Sequence, residues 1–144
     1  MSDFRLGSRE ILVEQLVRLV YRPLLLAALV VWFRGHNAPG GGFIAGLLAV
    51  AATASYALAF GGRAARARLP LAPERLAALG VGMSALAGVP ALVAGQPFLT
   101  HVSGELALAG IALPWSTVML FDLGVMLCVW GGLAALVLAL WRKT

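Results

Sequence analysis

The sequence predicts an all-α integral membrane protein with four transmembrane helices, both termini cytoplasmic, and a glycine-rich outer hinge between the first two helices. Three observations carry that expectation. The 144 residues are 61% hydrophobic and 12% charged, where soluble domains run near a quarter charged. Four apolar runs, at about 16–33, 42–60, 76–94 and 116–141, approach or exceed the ~20 helical residues that cross a hydrocarbon core of ~30 Å. The basic residues fall in the short segments between those runs, which is how membrane orientation is written into a chain.

The length leaves room for one domain, 1–144, and no second module. A net charge of +5 raises nucleic acid as a partner, but the placement of that charge points to a lipid bilayer instead. With the N-terminus inside, ten of the eleven Lys and Arg residues lie on the cytoplasmic side and Arg34 alone lies outside. The N-terminal segment mixes Asp3, Arg5, Arg9, Glu10 and Glu14 without a cleavage pattern, so the first apolar run is expected to be retained. The single cysteine, Cys128, offers neither a disulfide nor a thiolate metal site within one chain.

Glu10, Glu14, Arg18 and Arg22 recur every fourth residue and form one stripe on a helix. From Arg22 to Phe33 the chain climbs only ~17 Å as a helix, which is short of a full crossing. Three resolutions stand open. The two arginines snorkel, they face a partner, or the hinge dips into the membrane. Pro23 is expected to kink the helix. Trp32, Phe33, Trp115 and Trp141 stand at run ends, where interfacial aromatics belong.

Residues 34–43 read Arg-Gly-His-Asn-Ala-Pro-Gly-Gly-Gly-Phe. Gly35, Pro39, Gly40, Gly41 and Gly42 make this a structural hinge. The glycines can present amides at the positive end of the second helix, and His36 and Asn37 bring hydrogen-bonding groups, one of them titrating near neutrality. The hinge therefore reads either as a tight structural turn or as an ion-interacting loop. No Gly-Lys-Ser/Thr follows, so it is not a phosphate loop.

In the third run Gly80, Ser84 and Gly88, and in the fourth Gly124, Cys128 and Gly132, recur at fourfold spacing. Small residues so spaced let helix backbones approach closely in lipid. The segment 96–115 has no Lys or Arg and holds an apolar stretch too short to span. It is expected to be interfacial, re-entrant or covered by a partner. His101 and Glu105 are four apart but do not make a metal site, and no nucleophile–base pair is legible. The expectation is no catalytic residue, no metal and no cofactor.

Asp122 is the one acid deep in an apolar run, about 10 Å below the outer interface. An intramembrane carboxylate is costly unless paired, protonated or wet. It reads either as a proton or cation site or as a hydrogen-bonding group between helices.

Gly35 to Phe43, as GHNAPGGGF, resembles the signature of the MrpB/MnhB family, and Phe121 to Val125, as FDLGV, resembles that family's second recurring stretch. The nonapeptide is long and specific, and the two stretches with four helices cover nearly the whole chain. Ala45 departs from a glycine expected there. The resemblance implies a small subunit of a multi-subunit Na+/H+ antiporter of the bacterial cytoplasmic membrane, partnered by the other membrane subunits and acting on Na+ and H+. Two alternatives remain: the homologous subunit of a membrane-bound hydrogenase complex, or a purely structural packing subunit. No residue set is carried over from the family. Asp122, His36 and Asn37 are the ion-path candidates on physical grounds alone.

Overall fold

The structure, a computed structural model, describes residues 2–35, 40–100, 102–108 and 111–141, and the side chains of 11–35, 40–100, 102–104 and 116–141 among them. Four helices are long and apolar enough to cross a membrane, at Ile11–Arg34, Gly42–Phe60, Pro73–Val93 and Thr117–Trp141. The first belongs to α1, Ser2–Arg34, which begins well before the predicted 16–33 and continues as helix through Pro23. The extra turns hold the mixed-charge residues, whose i,i+4 spacing supports a helix extending into water.

Helix α2, Gly42–Phe60, matches the expected second run. A short helix α3, Gly62–Arg66, then carries the chain to α4, Pro73–Leu86. The predicted third helix is broken: α4 stops at Leu86 and α5, Val89–Val93, resumes beyond Gly88. Pro90 explains the break, because it has no amide proton to donate to the Leu86 carbonyl and its ring crowds that turn. At the junction Gly88 N donates to the Ala85 carbonyl, a tighter turn than α.

The expectation of an all-α chain is corrected in the segment before the last helix. Strand β1, Ser103–Leu108, pairs antiparallel with β2, Ile111–Ser116, with Ser103 opposite Ser116 and Leu108 opposite Ile111. An apolar stretch too short to cross as a helix satisfies its own amides by folding into a hairpin. At its base Thr117 N donates to the Val102 carbonyl, and Val102 N donates to Thr117 Oγ1, at 3.0 and 3.1 Å. Helix α6, Thr117–Trp141, starts there, and the Ser116 hydroxyl accepts from Val118 N as an N-cap does.

The four spanning helices pack in the order α1, α2, α6, α4, so α6 is flanked by α2 and α4. Alanines fill the α1–α2–α6 core, Ala28, Ala45, Ala49, Ala52, Ala57 and Ala134 among them. Backbones thereby approach closely where lipid supplies no hydrophobic drive. Between α2 and α6, Trp130 Nε1 donates to Thr53 Oγ1 at 2.9 Å, and Thr53 donates in turn to the Ala49 carbonyl. Between α4 and α6, Ser84 Oγ donates to the Phe121 carbonyl at 3.2 Å.

Contacts also sort the two ends of the bundle. The start of α2 meets the start of α6, with Gly42 against Asp122, whereas Gly62, just past the end of α2, meets Trp141 at the end of α6. Arg68, beyond α3, stacks on Tyr21 and Tyr56. Arg18, Arg22, Arg63, Arg66 and Arg68 therefore gather at one end, and Arg34 stands at the other.

Candidate functional site

The candidate site lies at the Arg34 end, where α1 gives way to α2 and α6 begins. Gly35 N donates to the Trp32 carbonyl, closing α1. When the chain returns, Gly41 N donates to the Val31 carbonyl at 3.3 Å, which ties the first residue before α2 back onto the last turns of α1. A Cβ on Gly40 would stand 2.7 Å from that same Val31 oxygen, and one on Gly35 would run into the Gly41 backbone. These are places where main chain meets main chain.

Gly41 is the N-cap of α2 with φ 98° and ψ 179°, a combination open essentially to glycine alone. Its carbonyl accepts from Ala45 N and so opens the helix. A Cβ on Gly41 would lie 3.2 Å from Asp122 Oδ2, and Gly42 seats directly on the Asp122 main-chain carbonyl. The two stretches singled out in the sequence, 35–43 and 121–125, thus meet in space across some eighty residues of chain.

Asp122 is half-buried. It sits five residues into α6, about 8 Å along the axis from Thr117. Its carboxylate faces the opening of α2, where the first amides of a helix lack intrahelical acceptors and the macrodipole presents its positive end. Among the described residues the one ion pair is Arg66 with Glu74, at the opposite end. The site is thus a half-buried carboxylate set beside the glycine-built opening of α2.

His36, Asn37 and Pro39 lie outside the described residues, so the structure adds nothing about them beyond the fixed positions of Gly35 and Gly40 on either side. Among the described residues no cluster of three His, Cys, Asp or Glu side chains could hold a metal ion; His36 and His101 are not among those residues.

The small-residue faces resolve individually. Gly80 lies against Cys128 and Gly124, and Gly124 lies against Ser84 and Gly80, which makes the α4–α6 seam beside Asp122. Gly88 packs on the Phe98 ring rather than on a helix, and Gly132 faces open space within this chain. Its neighbour Gly131 is the one that meets α4, at Ala77 and the Pro73 carbonyl. Two features escaped sequence reasoning. The Trp32 indole nitrogen is buried beside the hinge with no acceptor among the described residues, and Arg68 is sandwiched with Tyr21 and Tyr56. Only the tertiary fold brings the latter three together.

Residues 12–135 match the model of a domain related to the MnhB subunit of Na+/H+ antiporter. The chain is 35% identical over 126 residues to the B-type subunit of the Na+/H+ antiporter of Bacillus subtilis (strain 168), covering 86% of this chain and 87% of that protein. It is 32% identical over 134 residues to the corresponding B-type antiporter subunit of Alkalihalophilus pseudofirmus, covering 88% of each. Among solved structures, a chain of the Mrp complex from Dietzia sp. DQ12-45-1b superimposes with a TM-score of 0.77 at 32% identity. That match covers 94% of the present chain and 14% of the Dietzia chain.

Proposed function

The chain belongs to the MnhB family, the membrane domain related to a subunit of Na+/H+ antiporters, and from that premise we propose that it serves as the B-type subunit of a multi-subunit Na+/H+ antiporter in the bacterial cytoplasmic membrane. Its partners are the other membrane subunits of that complex, and Na+ and H+ are the ions moved. The chain is a transport subunit rather than an enzyme, consistent with a sequence that offers no nucleophile–base pair.

Within that assembly Asp122 contributes to the ion path. The observation carrying this role is the placement of its carboxylate against the glycine-built start of α2. The positive end of a helix dipole favours a negative charge, and among the described residues Asp122 makes no salt bridge. A carboxylate in such a place can exchange a proton for a cation, and His36 and Asn37, close in sequence to Gly41, are further candidates on their chemistry alone. The positive-inside rule puts the arginine-rich end in the cytoplasm and this edge on the outer side.

A second reading is favoured by the seating of Gly42 on the Asp122 main chain: the residue would serve only to lock α2 to α6. Asp122→Asn separates the two. Antiport in inverted membrane vesicles, measured with co-purification of the partner subunits, is expected to fall at least about tenfold while assembly persists. Normal antiport by the Asn variant across a range of pH would remove the ionisable role. Loss of assembly would favour the locking role.

A further inference from the structure

Chemistry that the antiport reading leaves unused gathers at the arginine-rich end. Arg18 and Arg22 on α1, Tyr21 between them, Tyr56 on α2 and Arg68 after α3 line one cavity of about 200 Å³. From these residues we propose that the cavity binds the phosphate headgroup of an anionic phospholipid. The inference rests on the chain's being a membrane protein and not on the antiport reading above.

Two of the three guanidiniums are pre-positioned by aromatic faces. Arg68 lies 4.9 Å over the Tyr56 ring and 5.9 Å from that of Tyr21, and Arg18 lies 5.0 Å over Phe60. Tyr21 and Tyr56 are themselves packed at 5.1 Å, and the Tyr21 hydroxyl donates to the Arg68 carbonyl at 3.5 Å. A guanidinium stacked by its face keeps its edge N–H donors for a planar or tetrahedral oxyanion. Among the described residues none of these arginines is in an ion pair. A neighbouring cavity at the same end, about 660 Å³ and lined by Arg63, Arg66 and Trp141, differs on this point, since Arg66 is already paired with Glu74 at 3.4 Å.

The surroundings select a lipid over a soluble anion. The cavity opens between two spanning helices at the level where α2 nears its end. Leu19, next to Arg18 in sequence, and Leu58, two residues after Tyr56, are both exposed, as side chains facing acyl chains are. Basic pockets between membrane helices are established headgroup sites. The seat also resolves the short climb from Arg22 to Phe33, because the two arginines reach a headgroup without leaving the bundle.

The test is lipid retention by the full chain in detergent, followed by native mass spectrometry with phosphatidylglycerol and, separately, phosphatidylcholine. Phosphatidylglycerol is expected to bind at least about tenfold more tightly, and Arg22→Gln to weaken it about fivefold. Arg18→Gln and Arg68→Gln weaken it further, while Arg34→Gln at the opposite end changes nothing. Arg22 holds no ring or main-chain contact among those described, so its variant keeps the test decisive if Arg68→Gln does not fold. Equal binding of both lipids, or indifference to Arg22→Gln, would overturn the proposal. So would complete displacement by equimolar inorganic phosphate, which would indicate a soluble anion. In the co-purified complex, release of partner subunits by Arg22→Gln with lipid binding unchanged would also overturn it, assigning the arginines to an acidic protein surface.

Discussion

Asp122 Oδ2 stands 3.2 Å from where a Cβ on Gly41 would lie, and this contact fixes what each residue can be. Gly41 must be glycine twice over, once for its φ of 98° and once to leave the carboxylate room. Asp122, in turn, lies beside the opening of α2, with its carboxylate toward Gly41 and its main-chain carbonyl against Gly42.

Gly41→Ala is therefore expected to destabilise the chain by more than backbone strain alone, which is about 1–3 kcal/mol for such a conformation. Gly61 supplies the control. It also has positive φ, at 85°, but a Cβ there meets nothing within 4 Å, so Gly61→Ala reads strain without crowding. Thermal unfolding in detergent should rank Gly41→Ala the more damaging, and Asp122→Ala in the same chain should recover part of the difference. Equal losses at the two glycines would show that the carboxylate does not press on this turn.

The proposed sidedness is open to a direct test. Arg63, Arg66 and Arg68 lie at the end remote from Gly41, and the positive-inside rule assigns that end to the cytoplasm. In cells, with Cys128 replaced, a cysteine at exposed Phe43 should react with a membrane-impermeant maleimide, and one at Arg63 should react only after lysis. The reverse pattern would invert the assigned orientation.

Much of this fold was legible because lipid simplifies the code. Long apolar runs bounded by arginine and tryptophan can be little else than spanning helices, and α2 begins and ends where its sequence says. The glycine stretch and Asp122 stood out individually, yet their meeting did not, because nothing local in residues 35–43 encodes α6 as its neighbour. The hairpin was missed for a related reason. Leu106 to Leu113 lacks strict polar alternation, and pairing rather than pattern makes it a strand. The break at Ala87–Gly88 carried a local signal in the following Pro90, which the apolar length of the run outweighed.

Register on α6 gives a sharper test of packing. A Cβ on Gly131 would collide with the Ala77 amide and the Pro73 carbonyl, whereas one on Gly132 meets nothing within this chain. Gly131→Ala should push α4 away and destabilise the full chain by about 1–3 kcal/mol, as overpacking does. Gly132→Ala should be neutral or stabilising by up to about 1 kcal/mol, since alanine is the better helix former. If Gly132→Ala is silent in the isolated chain but impairs the assembled complex, that face of α6 is where another subunit rests.

The hydrogen bond from Trp130 to Thr53 offers the last prediction. Thr53 Oγ1 accepts from the buried indole at 2.9 Å while donating to the Ala49 carbonyl at 3.0 Å, so it satisfies a buried donor. Thr53→Val keeps the volume but leaves that N–H orphaned, which costs about 1–2 kcal/mol in a buried site. Thr53→Ser restores the acceptor and should recover most of the loss. Trp130→Phe removes the donor, so adding Thr53→Val to it should cost clearly less than Thr53→Val alone. Additive losses in the double variant would mean that the bond contributes nothing to holding α2 against α6, and that alanine packing alone does so.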